Sequence, residues 1–484
     1  MTSDGSSIER LREYLQSLSA EARAMLIAEF ERALLRDEEV VGGDLVLQEL
    51  RRSIRAAGQP VSRIGDAARR FFMPLEPFLI DGPADHNRIG RVARVSLEPI
   101  WDWIGRDLIP AEVRLLSEDM HRALLADDRA KADQLVHALH DRAILRMNEA
   151  VAAIDSNEKA RRRFSVEVGT PRAIEDVTTL MRILAVRGVL AEWARRLPDH
   201  MHAFERDQID RVRTLFDAAP APKPLHGFVV EKPDLRLYGL IMVANRLAAP
   251  WQLIRIATRT ADTDDTARIA ATPYAVAVAI VLGELESMVG ELRAELKAGR
   301  PVTSLLKSIH DAARGMRTEV DLSVDSAWSR QLAAIRSAVS NLLTAEMETT
   351  PGRVRRLLRP RPANEIVSGS LLDAIDVQEV EARVELLGVC RHYAAELAVS
   401  EVTLRTHSEL TQYLEIGARV LLDALRHAGD AERPFRHSQV DAAVRFCRTV
   451  FGAEYAGLLA KAADVAVQGS TVERQAGAAM GRSR

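Results

Sequence analysis

From about residue 6 to residue 468, apolar side chains return at spacings of three, four and seven. That periodicity restricts the chain to packed α-helices. Within 171–197, Ile174, Val177, Met181, Leu184, Ala191 and Ala194 fall near one helical face. Thr170 reads as an N-cap, Pro171 suits a first helical position, and Pro198 stops the run. Gly188 lies on the same seam, where a missing side chain offers a neighbouring helix close approach. The Thr-Pro opening recurs at Thr272-Pro273 and Thr350-Pro351 and predicts two further helix starts.

By the same pattern, helices are expected at 6–17, 20–36, 44–57, 62–72, 88–106, 110–126, 129–154, 171–197, 200–217 and 240–258. Further helices are expected at 273–298, 302–318, 322–347, 351–359, 370–398, 401–427 and 437–468. Pro99 must kink or divide the helix it falls in. One segment alternates as a strand does: Phe228, Val229 and Val230, then Lys232-Pro233-Asp234, then Leu235, Leu237 and Tyr238. This predicts one small β-hairpin near 228–238. The expected fold is therefore all-α, with antiparallel bundles or stacked helical hairpins in two to three consecutive domains.

The domain division follows the breaks. Residues 1–217 form an N-terminal helical domain, 218–239 a Pro-rich linker with the hairpin, and 240–348 a central helical domain. A basic helix and linker at 349–370 lead to a C-terminal bundle at 371–468 and a disordered tail at 469–484. A faint internal echo pairs 135–143 with 305–313, as a duplicated helical hairpin would.

Composition narrows the function. The 484 residues are 47% hydrophobic and carry a formal net charge of -3, so no global charge favours nucleic acid or an anionic surface. Cys390 and Cys447 cannot build a disulfide framework or a four-cysteine zinc site. The opening MTSDGSSIERLREYL lacks the apolar core of a secretion signal. The longest apolar run, Ala275 to Gly283, falls short of the ~20 residues of a membrane span, and a cytoplasmic location is expected.

No phosphate loop, GxGxxG, GxSxG or HExxH occurs, which argues against nucleotide hydrolysis and dinucleotide redox chemistry. The best metal candidates are Glu118 and His121, which share a helical face, with His137 and His140 on the next predicted helix. They would suit a divalent transition metal, but no second Glu-x-x-His completes a di-metal set. The His140-Asp141 and His310-Asp311 doublets sit in predicted helices without a completing partner. Trp101 and Trp103, with Phe71, Phe72 and Phe78, form an aromatic neighbourhood read first as core. Lys159 with Arg161, Arg162 and Arg163 reads as a solvated connector.

The sharpest local feature is PGRVRRLLRPRP at 351–362. Val354, Leu357 and Leu358 cluster on one side of a short helix, with Arg355, Arg356 and Arg359 opposite and Arg353 at the margin. Such a helix can dock on an acidic partner or rest peripherally on anionic lipid, and its leucines can equally pack on the protein's own body. The sequence thus reads as a non-enzymatic scaffold or adaptor that binds a protein partner and needs no cofactor. The alternative is a metal-dependent helical-bundle enzyme, oxidoreductase or hydrolase, built on Glu118, His121, His137 and His140.

Overall fold

The computed structural model describes residues 66–81, 89–125, 128–222, 224–225, 228–322 and 325–481, with isolated positions between 14 and 50. The helices predicted before residue 62 lie largely outside the described residues. The chain divides into two compact units. One is Met1–Ala84, Gly90–Leu197 and Phe216–Met242; the other is Asp85–Ile89, Pro198–Leu215 and Val243–Arg484. Both are helical, so the all-α expectation holds. Among the described residues, no helix is long and apolar enough to cross a membrane.

In the first unit, α1 (Asp66–Phe72) leads through a 3-10 turn to β1 (Leu79–Ile80), which pairs in parallel with β2 (Val92–Ala93). Then come α2 (Leu97–Trp103), α3 (Pro110–Leu125), α4 (Arg129–Asp155), α5 (Glu158–Val168), α6 (Ala173–Ala185) and α7 (Arg187–Arg196). The long α4 organises this unit. Asp128 caps it by accepting from the Lys131 N–H, and Ala132, Val136, Leu139, His140, Ala143, Ile144 and Met147 bury one continuous face. That face meets α1, α3, α5 and α6. Helix α8 (Arg206–Asp217) contributes Phe216 here, and α9 (Lys232–Ala244) contributes its residues up to Met242.

In the second unit, a 3-10 turn at Pro250–Leu253 opens α10 (Ile254–Ala261), followed by α11 (Thr266–Ala270), α12 (Val276–Lys297) and α13 (Thr303–Glu319). Helix α14 (Ala327–Leu358) spans 32 residues and packs on α12, α15 (Ala374–Tyr393) and α16 (Ser400–Arg426). Helices α17 (Arg433–Phe451) and α18 (Ala453–Gly481) complete a bundle with α16.

Several expectations are corrected. The segment read as a hairpin near 228–238 is helical from Lys232, where Pro233 occupies the first turn and needs no N–H partner. The strands lie instead at 79–80 and 92–93. The second of them divides the predicted helix 88–106, leaving Pro99 in the first turn of α2. The run 171–197 breaks at Val186, and 240–258 is interrupted between α9 and Pro250. Thr350-Pro351 does not start a helix. The buried stripe Leu343, Met347, Thr350, Val354 and Leu358 continues through it, and packing on α15 and α16 outweighs the hydrogen bond that proline removes. The segment 155–170, read as a connector, is α5, capped by Asn157 and closed by the left-handed Gly169. Helix α18 runs past 468 to Gly481, into the stretch read as a tail.

Trp101 and Trp103 sit in core packing. Trp101 lies 5.3 Å from Phe71 by ring centroids, and Trp103 lies 4.7 Å from Phe164. The close approach expected at Gly188 occurs at Gly239 instead. A Cβ on Gly188 would meet nothing within 4 Å, whereas one on Gly239 would lie 2.6 Å from Phe216 Cζ and 2.7 Å from Trp193 Cζ3. Gly239→Ala should therefore destabilise the protein by about 1–3 kcal/mol through overpacking of a rigid ring pair. Gly188→Ala should be neutral or slightly stabilising, because helical glycine costs about 0.5–1 kcal/mol relative to alanine. Parallel urea denaturation of the two variants checks this.

Candidate functional site

Among the described residues, Glu118, His137 and His140 do not come together as one metal site. Glu118 is exposed on α3, and the His121 side chain lies outside the described residues. His137 and His140 are one turn apart on α4, with ring centroids separated by 6.1 Å. His140 is fully buried, and its Nε2 donates to the Phe71 carbonyl at 2.7 Å. That bond fixes the proton on Nε2, because a carbonyl only accepts. His140 Nδ1 is thus left as an unpaired acceptor. Burial pushes the His140 pKa down to about 3, so the ring is neutral and joins Phe71 in the core. Asp141 is held by Arg187 at 2.7 Å. Among the described residues, no group of three His, Cys, Asp or Glu side chains comes together as a metal site would require.

A second buried ionisable group lies in the same unit. Asp176 on α6 accepts from the Ser96 hydroxyl at 2.8 Å and from the Ala93 backbone N–H, tying β2 to the helix. Its burial pushes the carboxyl pKa up to about 6, against the opposing pull of Ser96.

The two groups respond oppositely to pH. Asp176 stabilises the fold below the unfolded carboxyl pKa, and that contribution of about 3 kcal/mol is lost as pH rises through 6. His140 contributes fully above the ordinary histidine pKa of about 6.5 and costs about 2 kcal/mol by pH 5. Asp176→Asn should thus raise stability at pH 8 and leave it unchanged near pH 4. His140→Gln, whose amide can still donate to Phe71, should remove the acid-side loss. Urea titrations from pH 4 to 8 separate the two effects.

The basic segment at 351–362 is the last two turns of α14 and the coil after it. Its arginines mostly face carboxylates of the same chain. Arg355 pairs with Glu409 at 2.5 Å and lies over the Tyr413 ring, Arg353 pairs with Glu379 at 3.8 Å, and Arg359 pairs with Glu365 at 3.6 Å. Leu358 is buried and Leu357 half-buried, so both pack on the body rather than project as anchors. Gln439 and Arg436 further clamp the segment by donating to the Arg359 and Arg361 carbonyls. Among the described residues, Arg356 has no such carboxylate.

Sequence reasoning missed two concave features, both in the second unit. An open groove of about 510 Å³ runs between α12 and α14. Its floor is Leu296, Ala338, Leu342 and Ala345, and Arg293, Lys297, Asn341 and Glu346 form its edges. Glu346 is taken by Arg383, whereas Arg293 and Lys297 pair with no carboxylate among the described residues. Positions 338, 342 and 345 repeat at helical spacing, and Thr349, Gly352 and Arg356 continue the same face to the end of α14. That second, small-residue stripe was readable in the sequence. Its pairing with α12 was not.

The other feature is a cavity of about 200 Å³ lined by Pro250, Trp251 and faces of α12 and α13. Ile280, Val281, Leu285 and Met288 make its apolar wall, and Glu284, Ser308 and Asp311 supply oxygen atoms. Comparison with protein-family models, with curated proteins and with solved structures finds no match for this chain.

Proposed function

We propose that this protein is a non-enzymatic helical adaptor that receives an amphipathic helix of a protein partner in the groove between α12 and α14. The groove itself carries this reading. Small side chains at 338 and 345 lower the floor so that a second helix can approach closely, and Leu342 and Leu296 offer apolar surface to cover. Arg293 and Lys297 on one edge, with Arg356 farther along the same α14 face, favour an acidic partner helix. Within the basic segment, Arg356 takes the recognition role, while Arg353, Arg355 and Arg359 fasten α14 to its own neighbours.

The test is charge reversal along this line. Arg293→Glu, Lys297→Glu and Arg356→Glu combined should abolish recovery of a stoichiometric partner from native extract, with the melting temperature unchanged. Binding by the unmodified protein should weaken as salt rises, because exposed charge pairs are screened beyond about 8–10 Å. A partner retained by the triple variant, or recovered equally at high salt, rejects the groove. Neutralising Arg355 instead, as Arg355→Gln, should cost about 0.2–1 kcal/mol of stability, the range of an exposed ion pair, and leave recruitment intact.

A further inference from the structure

We infer that the cavity beside Trp251 is a binding site for a small organic cation: a protonated amine carried on a compact apolar body. This is independent of the groove, and it rests on three features of the second unit.

The first is shape. The cavity of about 200 Å³ lies where the Pro250–Leu253 turn meets the α12–α13 hairpin, with Ala248, Pro250 and Ser308 at its exposed rim. A cavity of ~150 Å³ accommodates benzene, so by volume this one holds about eight non-hydrogen atoms. The second feature is the rigidity of its aromatic wall. Gly315 on α13 leaves no room for a side chain against the Trp251 ring. The Arg255 guanidinium also lies over this ring, 5.4 Å from its centroid. Arg255 is itself held by Glu319 at 2.8 Å and Glu205 at 2.9 Å. The indole is therefore fixed before any ligand arrives, which lowers the ordering cost of binding.

The third feature is charge. The lining contains two acidic side chains, Glu284 from α12 and Asp311 from α13, and no lysine or arginine. Asp311 accepts from His310 Nδ1 at 3.0 Å, and His310 stacks on Tyr393 at 4.7 Å, which fixes the orientation of the carboxylate. Both carboxylates line the cavity from facing helices and can each accept more than one hydrogen bond, and the Ser308 hydroxyl adds a third oxygen-bearing side chain at the rim. An ammonium group placed there gains charge-assisted hydrogen bonds in a partly desolvated setting. The wall of Ile280, Val281, Leu285 and Met288 requires the rest of the ligand to be apolar. A bare divalent cation would instead want six to eight oxygens, which this wall does not supply.

Benzylamine, benzyl alcohol and benzoate are matched probes, equal in shape and different in charge. Calorimetric titration of the full chain should give saturable benzylamine binding, about tenfold tighter than benzyl alcohol, with no binding of benzoate. Glu284→Gln combined with Asp311→Asn should reduce benzylamine to the level of the alcohol. Ser308→Trp, at an exposed rim position, should block both while leaving stability unchanged. Benzoate binding as tightly as benzylamine would overturn the assignment, and so would the absence of saturable benzylamine binding at millimolar concentration. Undiminished benzylamine affinity in the double carboxylate variant would do the same. The three-probe series on the unmodified protein decides the matter even if a variant fails to fold.

Discussion

Burial of one continuous face along each long helix is the constraint on which both units depend. In the first unit, α4 presents Val136, Leu139, Ala143, Ile144 and Met147 to four neighbouring helices. In the second, α14 buries residues from Leu332 to Leu358 at intervals of three and four. At roughly 25 cal/mol per Å² of apolar surface, these stripes supply much more than any single polar contact. Their dominance explains why α14 passes through Pro351. The lost backbone bond is local, whereas breaking the helix there would expose Val354 and Leu358 together.

Polar groups act within that frame. Ser96 and Asp176 tie a short strand to a helix, and His140 uses its one donated proton on the Phe71 carbonyl. Asp176 and His140 are buried at places where helices alone leave backbone groups to be satisfied, and each has its ionisation shifted by the same loss of water. On the surface, arginine and carboxylate side chains pair extensively. The basic charges left over therefore carry more information than the total. Arg293, Lys297 and Arg356 stand out because Arg353, Arg355 and Arg359 are already matched.

Helix content was legible because a period near 3.6 is written directly in the spacing of apolar residues, as in 129–155. Boundaries were less so. Thr-Pro reads as a start signal in isolation, yet Thr350 turns its hydroxyl back to the Glu346 carbonyl within an unbroken helix. Asn157 and Gly169 carried ordinary capping chemistry, but the charged run between them masked the apolar pair Phe164 and Val168. Around Lys232-Pro233-Asp234, apolar alternation resembled a strand over too few residues to distinguish it from the opening turn of α9. The site residues were legible only as chemistry. Glu118, His121, His137 and His140 looked like ligands by type and spacing, but a buried histidine satisfied by a carbonyl has the same sequence signature as one awaiting a metal.

By itself the sequence determined the helical class, the faces that must be buried, and the basic character of the end of α14. Those properties depend on residues three or four positions apart, whose relation is set by helix geometry alone. Only the tertiary structure decided that the arginines there face Glu365, Glu379 and Glu409. It also decided that Gly239 rather than Gly188 admits a close neighbour, and that Trp251 meets Glu284 and Asp311 around one cavity. Except for Arg359 and Glu365, these join residues more than twenty positions apart, and no local spacing rule fixes which helix lies beside which.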